Sequence, residues 1–437
     1  MKRVLFFHFY VKIKKMENFK KLKLKNNLRV LLVPQSFSLA TTVIVLVAAG
    51  SAYENKKTNG LSHFLEHMCF KGTKKRPHPI DIALELDGLG AQYNAFTSRE
   101  FTSYYAKAKN QSFEQILEII SDLYLNPIFE PKEIETERGV IIEEINMYED
   151  TPAKKVQEVF NSLLYGDQPA GWSIAGRKQN IKRFQRDDFL AYRKKHYVSS
   201  ATLLVISGGF EEKNILEKIS SYFRFLPQGP KKEKPKTKEF QTKPQALIKF
   251  KDSDQTHLIL GFRAFSIFDK RRFALEVLAN ILGGGMSSRL FQKIREEMGA
   301  AYYVNALTDL NSDCGSIFFA AGVDHQKVDL VIKSSLEEFK KIKDRGVDKK
   351  ELKKAKEHLI GHLFLSLESS DEIGYFYGSQ EILGLKILTP SQWASKIQAV
   401  EADEIRNLAL NLFKNKNLNL ALIGPFKNKN FQKILEV

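Results

Sequence analysis

The sequence predicts an α+β protein made of two homologous α/β sandwich halves, each a mixed, mainly antiparallel sheet with helices packed on one face. Two observations indicate this fold class: strand-like runs followed by long helical patterns open each half, and both halves close on the same succession of elements. The 437 residues, 43% of them hydrophobic, are sufficient for more than one core.

Pairs of strand-like runs rich in branched apolar residues open the halves. They cover residues 29–33 and 42–48 in the first half, and residues 246–250 and 257–262 in the second. Long helical patterns follow both pairs, which indicates α+β sandwiches with helices packed on one face of a sheet.

The two halves also end alike. Each end begins with a helix (188–196 and 404–412), which is followed by an aromatic residue (Tyr197 and Phe413). A strand comes next (202–206 and 418–423). A turn then leads to a second aromatic residue (Phe210 and Phe426) and a last helix. Both aromatic pairs are 216 residues apart. A coincidence of short strands is the alternative, but the matched order and spacing favour an ancient duplication.

A stretch rich in Pro and Lys and poor in apolar residues, 227–244, predicts the linker between the halves. It separates an N-terminal domain, 16–226, from a C-terminal domain, 245–437. Residues 1–15 precede a more ordinary start at Met16, and we interpret them as a disordered or misassigned extension.

The net charge of +17 is concentrated in two segments. Residues 1–30 contain ten Lys/Arg and one acid, and residues 227–244 contain six Lys and two acids, so the rest of the chain is close to neutral. We interpret these lysines as solvated tails and expect no nucleic-acid partner, because no RNA-binding signature accompanies them. The chain has only two cysteines, which favours a reducing compartment, and we expect a cytoplasmic protein. No apolar run approaches the roughly 20 residues that span a bilayer, so we expect no membrane segment.

A five-residue motif, His63-Phe64-Leu65-Glu66-His67, carries the first chemical signal. Residues four apart share one face of a helix, so both imidazoles can reach a single metal ion, and Glu66 lies close enough to act on a water. This is the H-x-x-E-H form of the zinc-peptidase motif. A helix with two buried, hydrogen-bonded histidines is the alternative, and a third ligand is needed to decide.

A long helix predicted over residues 131–150 offers that ligand. It opens with Pro131 and acids in its first turn, as helix N-termini prefer. Glu137 and Glu144 are two turns apart on one face, whereas Glu143 should point elsewhere. Glu144 would give a His2Glu set with an open position, the arrangement of catalytic zinc. Cys69 lies about 200° from His67 on the helix, so we predict a core residue there.

A glycine run, residues 283–285, precedes Met286-Ser287-Ser288-Arg289. It lacks the Lys-Ser/Thr of a P-loop, so it is weak evidence for phosphate binding. We interpret it as a tight loop entering a helix.

The chain from about residue 17 onward resembles the M16 metallopeptidases, the insulinase/pitrilysin-like and mitochondrial-processing-peptidase-like (M16B) enzymes of the LuxS/MPP-like metallohydrolase fold. Four separated motifs carry the resemblance in the right order: His63-x-x-Glu66-His67; Asn94-Ala95-Phe96 to Thr102; Glu137 to Glu144; and Ser288 to Arg295 followed by Gly299 to Tyr302. Tyr303 stands where a serine is usual.

The resemblance implies a zinc-dependent endopeptidase with one Zn2+ per chain, held by His63, His67 and Glu144. Glu66 would activate the zinc-bound water, and Glu137 would support catalysis. Arg295 and Tyr302 would contact substrate from the second half, and Tyr302 is a candidate donor to the oxyanion.

The substrates implied are peptides or unfolded protein segments. They would add as a strand to an edge at Asn94, Ala95 and Phe96, inside a chamber that closes about the linker as a hinge.

A homodimer is the expected assembly, since the chain carries both motif sets, and a heterodimer with a related subunit is the alternative. The alternative function is a non-catalytic peptide-binding or assembly subunit of the same fold.

Overall fold

The computed structural model describes residues 19–211 and 215–437, and the predicted extension at 1–15 lies outside these ranges. The described part of the chain contains two β-sheets. The first sheet has six strands in the order β1-β2-β6-β3-β5-β4, and the second has five in the order β7-β11-β8-β10-β9. The strands are β1 Lys20–Lys23, β2 Arg29–Pro34, β3 Ala40–Val47, β4 Gln92–Thr97, β5 Thr102–Lys109, β6 Thr202–Gly208, β7 Gln245–Phe250, β8 Thr256–Ala264, β9 Ala301–Leu310, β10 Gly315–Val323 and β11 Leu418–Gly424.

The two sheets repeat one topology, which confirms the predicted fold class. In the first, β6 lies between β2, to which it is parallel, and β3, to which it is antiparallel. In the second, β11 lies in the same way between β7 and β8. Antiparallel hairpins β5–β4 and β10–β9 complete the two sheets, so β4 and β9 are equivalent edge strands.

Helices cover the sheets, and in the described part of the chain none is both long and apolar enough to cross a membrane. They are α1 Leu61–Met68, α2 Pro79–Gly88, α3 Phe113–Leu125, α4 Pro131–Asp150, α5 Pro152–Tyr165, α6 Lys178–Ile181, α7 Arg186–His196, α8 Ile215–Tyr222, α9 Arg272–Gly283, α10 Val328–Arg345, α11 Lys349–Ser366, α12 Ser370–Ile382, α13 Pro390–Gln398 and α14 Ala402–Leu412; a π-helical segment spans Phe291–Glu297.

Each sheet also receives one helix from the other half on its second face. Helix α12 lies on β3 and β6 so closely that a Cβ on Gly374 would stand 2.8 Å from Ile44 Cδ1, and one on Gly378 2.9 Å from Leu46 Cδ1. Helix α5 lies on β8 and β11, with the Phe160 and Phe318 rings 5.4 Å apart. The halves are therefore interlocked by exchanged helices.

The segment 227–244 contains no helix or strand, and one of its lysines is not solvated. Lys234 is one-tenth exposed and lies 2.5 Å from Asp313 and 3.5 Å from Glu100, so it joins both halves. The interpretation of all linker lysines as a solvated tail is therefore wrong for Lys234. Movement about this segment would also have to strip α5 and α12 from the sheets they cover.

Candidate metal centre and active site

Helix α1 presents the two motif histidines on one face because its other face is apolar. Leu61, Phe64 and Leu65 are buried in the first core. Cys69 is fully buried beside the Tyr104 hydroxyl, which confirms it as a core residue. The helix begins after Gly60 at φ +97°, where a side chain would be strained and its Cβ would stand 2.8 Å from the Cα of Gly176.

A buried carboxylate caps the start of α1. Glu54 Oε2 accepts hydrogen bonds from the Gly60 N–H at 2.8 Å and the Asn59 amide at 3.1 Å, and Oε1 accepts from the Ser62 N–H at 2.7 Å. Burial raises the pKa of Glu54 to about 7, and the backbone N–H donors of Ser62 and Gly60 oppose that rise. Glu54 thereby fixes the direction in which α1 leaves the preceding loop.

Helix α4 begins at Pro131 as predicted and brings Glu144 to the two histidines. The Nε2 atoms of His63 and His67 are 3.3 Å apart, and Glu144 Oε2 lies 3.5 Å from the first and 3.7 Å from the second. Ligands about 2.0–2.1 Å from one tetrahedral zinc ion are about 3.3–3.5 Å from one another. The three atoms therefore form a face that fits such an ion.

The chemistry of these side chains also fits a metal. Glu144 Oε2 is buried without a hydrogen-bond partner, a costly state for a carboxylate that an ion would relieve. Burial and the neighbouring His67 lower the pKa of His63 to about 3, so its imidazole is the neutral species that ligates metals. Glu143 is exposed and accepts from the Asn146 amide, which confirms that it points elsewhere.

Glu137 supports the centre from behind. Its Oε1 accepts the Nδ1 proton of His67 at 2.7 Å, and Oε2 lies 2.5 Å from Lys71 Nζ. Although burial opposes both shifts, their hydrogen bond raises the pKa of His67 and lowers that of Glu137. With Nδ1 protonated, Nε2 keeps its lone pair toward the metal position, as in carboxylate–histidine–zinc triads.

Glu66 lies beside the three ligand atoms and is not one of them. It is 8% exposed, and its Oε2 accepts a 2.6 Å hydrogen bond from the Thr97 hydroxyl at the end of β4. Burial raises the pKa of Glu66 to about 6, which the Thr97 hydrogen bond opposes. A carboxylate with such a pKa can accept a proton near neutral pH and release it again.

The centre opens into a cleft of about 980 Å3 between the two halves. One wall contains Asn94, Ala95 and Phe96 on β4, whose outer edge has no neighbouring strand in the described part of the chain. Residues 309–311, at the end of β9 in the second half, also line the cleft. The edge strand predicted from the sequence is therefore in the same cleft as His63, Glu66 and His67.

Arg295 and Tyr302 lie together but away from this cleft. The Arg295 guanidinium is 5.8 Å from the Tyr302 ring centre, and the Tyr302 side chain is 75% exposed. Neither lines the cleft, and Tyr302 is seven residues, about 23 Å of strand, from Asp309 on β9. The Tyr303 hydroxyl is engaged with His257 Nδ1 at 3.0 Å, so Tyr302 carries the hydroxyl available to a ligand.

Sequence reasoning missed three supporting residues, Glu54, Lys71 and Thr97. Each acts through a partner distant in the chain or in another element, and no periodic pattern marks them. Thr97 could have been predicted from the sequence, because it follows the predicted edge residues on the same strand.

A His-x-x-Glu-His helix completed by a glutamate from a second helix, on paired α/β sandwiches, defines the class of inverted-motif zinc peptidases. The chain belongs to the M16 peptidase family of that class. Residues 29–178 match the model of Insulinase (Peptidase family M16), and residues 183–359 match the Peptidase M16 inactive domain. All three ligand candidates and Glu66 lie in the first match.

Two similar proteins can be aligned with almost the whole chain. The uncharacterised zinc protease YmxG of Bacillus subtilis is 33% identical over 406 residues, which cover 92% of this chain and 98% of that protein. An uncharacterised zinc protease of Rickettsia felis is 36% identical over 414 residues, 94% of this chain and 98% of the relative.

Solved structures share the fold. A protease from Helicobacter pylori superposes with a TM-score of 0.87 at 22% identity, over 93% of this chain and 99% of that one. A peptidase M16 inactive domain structure from Pseudomonas fluorescens gives 0.86 at 18% identity, over 94% of this chain and all of the other.

Proposed function

We propose that this chain is a zinc-dependent endopeptidase that hydrolyses peptides or unfolded polypeptide segments, with one Zn2+ per chain. The observation that carries the proposal is the triangle of 3.3–3.7 Å between His63, His67 and Glu144, with Glu66 beside it as a carboxylate outside the ligand set. A zinc ion there would polarise a scissile carbonyl and lower the pKa of a bound water to about 7.

Glu66 performs the proton transfers in this proposal. It takes the proton of the attacking water as the C–O bond forms, and it delivers that proton to the leaving amine as the C–N bond breaks. The Thr97 hydroxyl holds Oε2 of Glu66, which leaves Oε1 for the water. Glu137 acts through His67 and is a positioning residue.

Peptide binding follows from the free edge of β4. A substrate in extended conformation would pair with the backbone of residues 94–96, so that main-chain hydrogen bonds provide affinity with little sequence demand. Because Thr97 at the end of β4 also holds Glu66, the strand sets the register of the substrate relative to the base.

We further propose that the working assembly is a homodimer in which Arg295 and Tyr302 of one chain complete the site of the other. Their exposure and their distance from the cleft of their own chain support supply from a partner. The Tyr302 hydroxyl would then donate to the developing oxyanion, and Arg295 would hold the Tyr302 ring or a substrate carbonyl.

The test is Glu66→Gln, assayed on an unfolded peptide with product identification by mass spectrometry. We expect unchanged zinc content and a loss of turnover of about 10²–10⁴-fold. Glu143→Gln is the matched control, since this neighbouring glutamate faces solvent. Turnover at the wild-type rate in zinc-loaded Glu66→Gln would overturn the mechanism; a chain inactive even as the zinc-loaded wild type would instead indicate a non-catalytic subunit.

A further inference from the structure

A second imidazole pair lies on α11, outside the cleft. His358 and His362 are four residues apart, and their ring centres are 4.2 Å apart at an interplanar angle of 45°. The corresponding values for His63 and His67 are 4.6 Å and 63°. The two pairs therefore share both the helical spacing and the ring proximity that allow two imidazoles to bind one ion.

His358 is positioned by the glycine turn that follows α9. Its Nδ1 is 2.9 Å from the Asn280 side-chain amide. A Cβ on Gly285 would stand 3.2 Å from its Nε2, so the glycine makes room for the ring. Lys354, one turn earlier on α11, donates to the Ser287 carbonyl at 2.5 Å and fixes the same turn to the helix.

The Asn280 contact holds the His358 ring beside His362, because the Asn280 amide nitrogen lies against Nδ1 of His358. His362, one turn further along α11, is exposed, so water has access to an ion held by the two rings.

We propose that His358 and His362 bind one divalent transition-metal ion of the imidazole-preferring kind, such as Ni2+, Cu2+ or Zn2+, with water completing its coordination. Among the described residues the group of three or more metal-binding side chains is His63, His67 and Glu144, so this second site has two protein ligands. It is accordingly weaker than the first site, and it does not depend on the proposed peptidase activity.

Ni2+ alone is the probe for the test. The full chain, with zinc already in the first site, is titrated with Ni2+ at pH 7.5 by calorimetry, and zinc retention is measured in parallel. We expect one equivalent of Ni2+, bound at least tenfold more weakly in His362→Gln and in His358→Gln. Zinc content should stay unchanged in both variants.

His78→Gln is the matched control, because His78 is an exposed histidine without a partner imidazole one turn away. It should leave Ni2+ affinity unaltered. His362 is exposed on its helix, so its substitution tests the site without disturbing the core. Wild-type Ni2+ affinity in His362→Gln, or no Ni2+ equivalent in the zinc-loaded wild type, would overturn the proposal.

Discussion

The guanidinium of Arg99 lies 2.6 Å from the carboxylate of Asp309 and joins the turn after β4 to the second half. Next to it, Glu100 accepts from the Ser312 N–H at 3.0 Å and from the Ser312 hydroxyl at 2.5 Å. These contacts connect the β4–β5 hairpin to the β9–β10 hairpin at the cleft. They fix the turn that follows β4 against the second half.

Asp309→Asn should loosen this junction, because it leaves the Arg99 charge, only 14% exposed, without its counter-ion. We expect a loss of about 1–3 kcal/mol in unfolding free energy and faster amide hydrogen exchange at residues 98–101. KM for peptide should rise more than kcat falls. Glu297→Gln breaks the exposed Lys293–Glu297 pair and should change stability by under about 0.5 kcal/mol. Equal exchange rates in both variants would contradict the role given to Arg99.

Glu137→Gln should weaken zinc binding without removing a ligand. The amide can still accept from His67 Nδ1, but it loses the charge that favours the Nε2 lone pair and the ion pair with Lys71. A decrease in zinc affinity of about 10–100-fold is expected from the loss of such a partner. Competition with a chromophoric chelator measures it. Glu143→Gln, on the same helix, should bind zinc as the wild type does, and equal affinities in the two variants would show that Glu137 has no part in the centre.

Glu54→Ala should disturb the metal helix from its start. It leaves two backbone N–H groups of the α1 N-terminus, those of Gly60 and Ser62, without acceptors in a buried place. We expect a stability loss of about 2–4 kcal/mol together with weaker zinc binding. Glu54→Gln retains one acceptor and should recover part of both. Normal zinc affinity in a destabilised Glu54→Ala would limit Glu54 to a structural role.

The sequence was sufficient to predict the elements that local rules determine. Helix α4 has the predicted bounds because Pro131 and early acids favour a helix start there. The spacing of His63 and His67 follows from helix geometry alone. Their third ligand needed more: any exposed glutamate on α4 fits by type, and only the pairing with His63 and His67, together with the family resemblance, distinguished Glu144.

The exchange of α5 and α12 between the halves could not be predicted in the same way. Helix α12 meets the first sheet through Gly374 and Gly378, which leave no apolar stripe in the sequence. Its partners on β3 are more than 300 residues earlier in the chain, beyond the reach of any periodic pattern. Sequence reasoning therefore placed a free hinge at 227–244, where the structure has interlocked halves.

The position of Arg295 and Tyr302 leads to the last prediction. The motif identifies these residues but does not say in which chain they act. If they complete the site of a partner chain, Glu66→Gln and Tyr302→Phe remove different parts of one shared site. Each variant alone should lose most activity, while both keep their zinc.

Mixed in equal amounts and allowed to exchange, the two variants should regain about a quarter of the wild-type activity. Half of randomly formed dimers contain one chain of each kind, and each mixed dimer has one complete site of two. Mixing Glu66→Gln with Glu144→Gln is the control. Both residues belong to the metal centre of their own chain, so each site of every dimer lacks one of them and no activity should return. Recovery in the first mixture alone would place Tyr302 in the partner's cleft. Exchange without recovery would mean that the Tyr302 of each chain must reach its own metal centre, across the junction that Arg99 and Asp309 hold.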